Sequence, residues 1–180
     1  MLALSLLICS CSAPSELEPF SKAVSEFSAR AARIETELVT EAFGTLASSY
    51  DVEYDGATAK VKYSRVSLST VTPSLDPDKL VSTSTGEVTI ERDGSSDKLG
   101  ALVSRMVFCR LVLDEELIEY SIEGDALHFT VKADKVGEVL GASVGCDADV
   151  TLTLSEDRIA SLTVVYETAV GTAKLTADFE

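Results

Sequence analysis

The sequence predicts an α+β fold, in which a curved antiparallel β-sheet packs on an N-terminal amphipathic helix. We expect the sheet to be a half-barrel meander of about nine to ten strands. Two observations predict this fold. Apolar residues recur every three or four positions near the N-terminus, and every second position over most of the remaining chain. Hairpin signals separate the alternating segments, and the strand, helix, strand rhythm of parallel sheets is missing from the sequence.

The N-terminal helix is predicted over residues 15–31. Ser15 suits the N-cap, and Pro19 is tolerated in a first turn. The apolar residues that share one face are Leu17, Phe20, Val24 and Phe27. Helices that lie in a membrane interface are rich in Lys and Arg on their polar face, and the opposite face of this helix is not. We therefore expect this helix to cover the core of the sheet.

Alternation with a period of two predicts four strands in the first half of the chain, at residues 34–40, 46–54, 57–63 and 81–91. Phe43-Gly44 lies between the first two strands. Asp55-Gly56 predicts a tight hairpin between the next two, because both residues accept positive φ. Residues 71–79, which contain two prolines and two aspartates, are predicted to form a loop.

The second half begins with an apolar stretch at residues 101–113, which we interpret as a central strand buried on both faces or a passage from helix to strand. A helical turn at residues 114–117 and a hairpin around Gly124-Asp125 follow. Residues 133–141 predict a short helix that ends at glycine. Three closing strands are predicted at residues 147–154, 159–167 and 172–179.

The first ten residues, MLALSLLICS, are uncharged, apolar and too short to span a bilayer, which is typical of a signal-peptide core. The first basic residue is Lys22, so we expect the native start to lie a few residues upstream. The segment Ile8-Cys9-Ser10-Cys11 resembles the bacterial lipobox, although Cys9 is an unusual residue for its position. This resemblance implies a signal peptide at residues 1–11, lipidation of Cys11 and a single domain at residues 12–180.

Two alternatives remain for the leader. Ordinary signal peptidase cleavage after Ala13 would give a secreted protein, although Pro14 directly after that bond argues against it. The apolar stretch could instead be a buried first strand. In the lipidated form, the protein would be anchored to the cell membrane or cell envelope.

Composition limits the partners. The chain has 180 residues, 46% of them hydrophobic, which is enough for one substantial core. Its 30 acidic and 15 basic residues give a net charge of −15, and the basic residues are scattered. Nucleic acid is therefore not expected as a partner, and attachment to an anionic membrane requires the lipid anchor. We expect a monomer.

Cys109 and Cys146 remain after the leader is removed, in a compartment where disulfides persist. A bridge between them is one expectation, and two separate buried thiols are the other. The sequence has no C-x-x-C motif and no Cys/His cluster, which disfavours a redox or zinc site. We predict no cofactor and no metal.

Catalytic residues are not predicted either. His128, the single histidine, alternates with the apolar residues of its strand and is expected at the surface. The sequence lacks a G-x-S-x-G motif and a phosphate-binding glycine loop. Adjacent acids, at Asp76 and Asp78, Glu115 and Glu116, and Asp147 and Asp149, are interpreted as solvated turns. We therefore expect a protein that is not an enzyme.

The order of elements resembles the half-barrel exported lipoproteins related to the lipoprotein carrier LolA and the mycobacterial LppX/LprG group. The segments that carry the resemblance are residues 17–27, 42–46 and 157–163. The chain also looks like lipoproteins of anaerobic Gram-positive bacteria. In the named carriers the concave sheet face holds acyl chains, so the resemblance implies a lipid or other apolar ligand in the sheet concavity.

Two functions follow as expectations. The first is a cell-envelope lipoprotein that binds or carries an apolar ligand between sheet and helix. The second is a surface or periplasmic interaction module whose concavity is filled by side chains. An unfilled apolar cavity on the concave face would favour the first, and a fully packed interior would favour the second.

Overall fold

The computed structural model describes residues 15–68 and 80–180. The predicted leader, Cys11 and the predicted loop at 71–79 lie outside the described residues. The helices are α1 (Glu18–Ser25), α2 (Ala101–Val107) and α3 (Val136–Val139). The strands are β1 (Ala31–Thr40), β2 (Gly44–Asp55), β3 (Thr58–Leu68), β4 (Val81–Glu91), β5 (Glu119–Glu123), β6 (Ala126–Val131), β7 (Ala148–Ser155), β8 (Arg158–Thr168) and β9 (Gly171–Phe179).

The nine strands form one antiparallel sheet in the order β4-β3-β2-β1-β9-β8-β7-β6-β5. Two meanders, β1 to β4 and β5 to β9, are joined in the middle by pairing of β1 with β9. The chain between β4 and β5, which contains α2, therefore runs from one edge of the sheet to the other. The predicted antiparallel sheet is confirmed.

The strands turn their apolar residues to the same side of the sheet, here called the inner face. One row of paired residues across seven strands contains Tyr63, Tyr50, Ile34, Ala177, Leu162, Leu152 and Leu127. Six members of this row are buried and Tyr63 is half-buried. The other side, the outer face, carries charged and polar residues with exposed ion pairs such as Lys60 with Glu87 at 3.2 Å. Such exposed pairs contribute little to stability.

Helices and loops cover much of the inner face. α2 contacts the central strands β1 and β9. Leu17 and Phe20 of the N-terminal segment, and Phe27 after α1, are buried in the same hydrophobic cluster as the inner-face residues. α1 is shorter than the predicted helix, since it begins at Glu18 and ends at Ser25, and a turn and irregular residues lead from it to β1 at Ala31.

Of the two interpretations of residues 101–113, the buried strand is wrong, since the first half of this stretch is α2. Leu102, Val103, Met106 and Val107 are buried, and Ser104 is fully buried as well. The Ser104 hydroxyl donates to the carbonyl of Gly100 at 2.8 Å, which satisfies its polar group inside the helix. A helix that is buried almost all round shows no polar face. This explains why the periodicity of this stretch was ambiguous.

Smaller differences concern the turns. The β2–β3 loop consists of Gly56 and Ala57, one position later than predicted, and only Gly56 has positive φ. Residues 114–117 form a hydrogen-bonded turn, in which the Leu117 N–H donates to the Asp114 carbonyl, rather than a helical turn. The predicted helix at 133–141 is confined to α3, with Gly141 at φ +66° after it.

Candidate functional site

An open cavity of about 450 Å³ lies on the inner face of the sheet. We call it the inner-face cavity. Its floor is formed by β1, β2, β3, β8 and β9, and its wall by the chain that enters α2. The apolar side chains around it include Leu38, Leu46, Leu102, Val103, Val170 and Leu175. Its volume falls in the roughly 300–1,000 Å³ range of small-molecule sites.

The cavity lies where the covering layer stops short of one end of the strands. Ile34 and Val52, further along β1 and β2, are buried at 0% and 2% exposure. Leu38 and Leu46, which pair with each other on the same face, are only half-buried. Gly100, at the entry to α2, also lines the cavity, and a Cβ added to it would meet no atom within 4 Å. Apolar surface is thus left uncovered within a concave space.

Polar groups line one part of the cavity. Arg65 of β3 lies there, and its Nη1 donates to the backbone carbonyls of Asp97 and Lys98, both at 3.1 Å. These bonds hold the guanidinium against the loop before α2. Because they use only one nitrogen, the remaining N–H groups of Arg65 can serve a ligand.

Tyr50 and Ser48 of β2 lie near Arg65 on the cavity floor. Burial raises the pKa of Tyr50, and the nearby Arg65 charge opposes this rise only in part. The Tyr50 hydroxyl therefore stays protonated at neutral pH, and Ser48 and Thr36 lie within hydrogen-bonding reach of it. The Ser48 hydroxyl accepts from the Val66 N–H at 3.0 Å. Apolar walls with a few convergent polar donors suit an elongated apolar molecule with a polar or acidic end.

His128 does not line this cavity. It lies half-buried on β6, at a position that faces away from the apolar side, with its Nδ1 3.1 Å from the Thr151 hydroxyl. Among residues 15–68 and 80–180, no group of three or more His, Cys, Asp and Glu side chains is placed to hold a metal.

The described acid pairs have surface partners. Glu115 accepts a hydrogen bond from Ser15, and Asp149 accepts one from Thr130 at 2.7 Å. Asp147 accepts one from the Ala133 N–H at 2.9 Å, which is the main cause that lowers the pKa of Asp147, and its pairing with Lys132 lowers it further. These contacts account for Glu115, Asp147 and Asp149 without a ligand. Asp76 and Asp78 lie outside the described residues.

The two cysteines of the domain are free thiols in the structure. Cys109 follows α2, is fully buried and has a φ of +46°. Burial raises the pKa of the Cys109 thiol well above its ordinary value. Cys146 precedes β7, is partly exposed and donates from Sγ to the Glu167 carbonyl at 2.7 Å. The bridge between them remains a prediction.

Sequence reasoning did not single out Arg65, Ser48 and Tyr50 as site residues. A signal for them was present in the alternation of β2 and β3. Tyr50 and Ser48 share a face with Val52, and Arg65 shares one with Val61 and Tyr63. A serine and an arginine at inward positions of otherwise apolar rows mark a place where the sheet face is not sealed.

Comparison of the sequence with known proteins does not assign it to a family. The sequence matches no protein-family model, and no curated protein matches it significantly. In the part of the chain that the structure describes, no helix is both long and apolar enough to cross a membrane.

Proposed function

We propose that this protein is a non-enzymatic lipoprotein of the cell envelope that binds an elongated apolar ligand in the inner-face cavity. The observation that carries the proposal is the cavity itself: about 450 Å³ of open space on the inner face of the sheet, with Leu and Val side chains in its lining. Burial of apolar ligand surface there is favourable by roughly 25 cal/mol per Å². If the protein were instead an interaction module, we would expect side chains to fill this space.

The proposal also includes the curvature of the sheet and the position of the helices on it. In it, the sheet is a half-barrel, and α1 and α2 lie across its concave side, as in the LolA-like carriers. Leu17 and Phe20 seal one end of the concavity, while the other end is left for the ligand. Cys11 carries the anchor that holds the domain at the membrane, the source of such ligands.

The polar part of the cavity predicts the kind of ligand. Arg65 is a permanent cation beside the neutral donor Tyr50, and a carboxylate at the end of an acyl chain would pair with it. A long-chain fatty acid therefore fits the site better than a neutral hydrocarbon.

A fluorescent fatty acid, cis-parinaric acid, tests the binding. The protein should bind it saturably, with one site per chain. Leu46→Trp places a large ring in the cavity and should weaken binding about tenfold or more, because it occupies the volume that the chain needs. Ala47→Trp is the matched control, since Ala47 is the exposed neighbour on the same strand. Absence of saturable binding, or equal loss in both variants, would refute the proposal.

The role of Arg65 is tested by a double comparison. Arg65→Gln should weaken binding of cis-parinaric acid but leave binding of its methyl ester nearly unchanged, because the ester has no charge to pair with the guanidinium. If the substitution merely distorted the loop at Asp97, binding of the acid and binding of the ester would be weakened to the same extent.

The anchor is tested separately. Intact mass of the protein from bacterial membranes should show acylation at Cys11, and Cys11→Ala should abolish both the added mass and membrane retention. An unmodified soluble product from the native sequence would remove the lipoprotein part of the proposal. The ligand-binding part would be left to the parinaric acid experiment.

A further inference from the structure

A second cavity, of about 360 Å³, lies at the C-terminal end of α2. Three arginines line it, Arg92, Arg105 and Arg110, together with Phe108 and Val139. We call it the arginine pocket. Three of the fifteen basic residues of a chain with net charge −15 thus converge on one concave site. None of its lining residues lines the inner-face cavity.

Backbone carbonyls hold the guanidinium groups in place. Arg110 donates from Nη2 to Gly94 O at 2.7 Å and to Ser104 O at 2.9 Å. Arg105 donates from Nε to Gly141 O at 3.2 Å. These bonds use one nitrogen of each guanidinium, so further N–H donors of both arginines remain for a ligand.

Arg92 completes the pocket. It donates from Nη2 to the carbonyl of Phe27, and its guanidinium carbon lies 6.0 Å from the centre of the Phe108 ring. A cation held over an aromatic face keeps its charge and has its orientation restricted. The three arginines are therefore positioned before any ligand arrives.

One donor of a pocket arginine lacks an acceptor. The Nε atom of Arg110 is buried and has no hydrogen-bond partner among the described residues. A buried unsatisfied donor is costly, more so on a charged group, and native structures rarely retain one without an ion or water to accept its hydrogen bond. Because solvent does not reach this atom, a ligand in the pocket would satisfy it only after a shift of the Arg110 side chain, and the described contacts leave Arg110 incompletely partnered.

The charges around Arg110 also favour a bound anion. Burial lowers the pKa of Arg110, and the neighbouring charge of Arg105 lowers it further, while Asp93 acts in the opposite direction. Asp93 and Glu138 also line the pocket. However, within the described part of the chain no carboxylate lies within 4.0 Å of a nitrogen of the three arginines. Two partly desolvated cations side by side are stabilised by a bound anion.

From these observations we propose that the arginine pocket binds a phosphoryl group, either as free phosphate or at the end of a lipid headgroup. Several guanidinium forks suit an oxyanion that offers three acceptor oxygens and close to two negative charges. A carboxylate has two oxygens and one charge, so it would use the donors less completely. This site is separate from the inner-face cavity, and its existence does not depend on the proposed fatty acid.

Calorimetry with two probes tests the proposal, each in buffer whose ionic strength is matched with chloride. One probe is inorganic phosphate, and the other is dihexanoyl phosphatidic acid below its micelle concentration. Arg105→Gln should weaken binding about tenfold or more, because charged hydrogen bonds are lost. Arg158→Gln is the control, since it makes the same charge change at an exposed arginine on β8.

The outcomes are distinct. A phosphoryl site is supported if both probes bind and only Arg105→Gln weakens their binding. If only phosphatidic acid binds, and only Arg105→Gln weakens it, the site is supported with a lipid headgroup as the source of the phosphoryl group. No binding of either probe, or equal loss in the two variants, overturns the proposal.

A chemical readout avoids dependence on the fold of the variants. Phosphate or phosphatidic acid should protect Arg105 and Arg110 of the native chain from phenylglyoxal, as read by peptide mass spectrometry, and leave Arg158 reactive. Unchanged modification of Arg105 and Arg110 at saturating concentrations of both probes would also overturn the proposal.

Discussion

The hydroxyl of Tyr54, on β2, donates a hydrogen bond to the backbone carbonyl of Val107, the last residue of α2. The final carbonyls of a helix have no partner within the helix, so Tyr54 satisfies one of them and ties α2 to the sheet. Its ring also makes edge contacts with Phe27 and Phe108, at centroid distances of 5.8 and 5.6 Å. Burial raises the pKa of Tyr54, which keeps the hydroxyl a donor over the accessible pH range.

Tyr54→Phe is expected to lower the free energy of unfolding by about 1–2 kcal/mol, because the ring contacts remain while a buried carbonyl loses its donor. Urea denaturation measures this loss of stability, and the dependence of the free energy of unfolding on urea concentration should stay the same. Tyr63→Phe is the control, since the Tyr63 hydroxyl donates no hydrogen bond within the described residues. Equal stability of the two variants would show that the bond to Val107 contributes nothing.

Gly171→Ala is expected to destabilise the junction of β1, β8 and β9. Gly171 has a φ of +151°, and a Cβ there would lie 1.9 Å from the backbone carbonyl oxygen of Val39. Backbone must move to relieve this overlap, so we expect a loss of about 2–3 kcal/mol or more in the free energy of unfolding.

Gly137→Ala is the matched glycine control for that experiment. Gly137 lies in α3, and an added Cβ would meet no atom within 4 Å. Alanine should leave stability unchanged or raise it by up to about 1 kcal/mol, because alanine is the better helix former. Thermal unfolding followed by circular dichroism compares the two. A Gly171→Ala protein as stable as Gly137→Ala would contradict the backbone overlap.

The β7–β8 hairpin should be stabilised by glycine. Glu156 and Asp157 form its two-residue loop and both have positive φ, at +51° and +61°. This geometry strains residues with a Cβ, and Asn-Gly is the pair that it prefers. Asp157→Gly should raise the free energy of unfolding by roughly 0.5–1 kcal/mol.

Asp125→Gly provides the comparison, since Asp125 is the second loop residue of the β5–β6 hairpin but does not have positive φ. Here glycine should bring no gain and should cost some stability through the entropy of the unfolded chain. Both variants can be measured by urea denaturation. A gain at residue 125 that equals the gain at residue 157 would exclude relief of backbone strain as its cause.

The thiols are expected to differ in reactivity. N-ethylmaleimide should modify Cys146 in the native protein within the time that leaves Cys109 intact, because Cys109 is buried and its pKa is raised. Unfolding in urea should make both reactive. Peptide mapping by mass spectrometry identifies the modified residue. If the predicted disulfide forms after export, neither thiol would react until a reductant is added, and the intact mass of the native chain would be lower by two hydrogen atoms.

Much of the sheet could be predicted because its signals are local. Alternation from Ile34 to Tyr63 and the closing strands correspond to β1, β2, β3, β7, β8 and β9. Gly124-Asp125 connects β5 and β6 as predicted. The pairing of β1 with β9, in contrast, joins residues far apart in the chain, and no local pattern reports it.

The candidate sites were less predictable. An arginine at residue 105 or 110 looks in sequence like any other scattered charge, and only the packing of α2 brings it beside its neighbour. The same holds for Arg65, whose loop partners Asp97 and Lys98 come from the long connection between the two meanders.

By itself, the sequence determined the hairpins, the polar outer face and the apolar inner face, because turn chemistry and period-two alternation act between near neighbours. Only the tertiary structure decided that residues 101–107 form a helix and where that helix lies. Burial of Leu102, Val103, Met106 and Val107 on nearly all sides depends on the sheet beneath them. The position of α2 also determines which inner-face residues stay uncovered, so both cavities are consequences of packing.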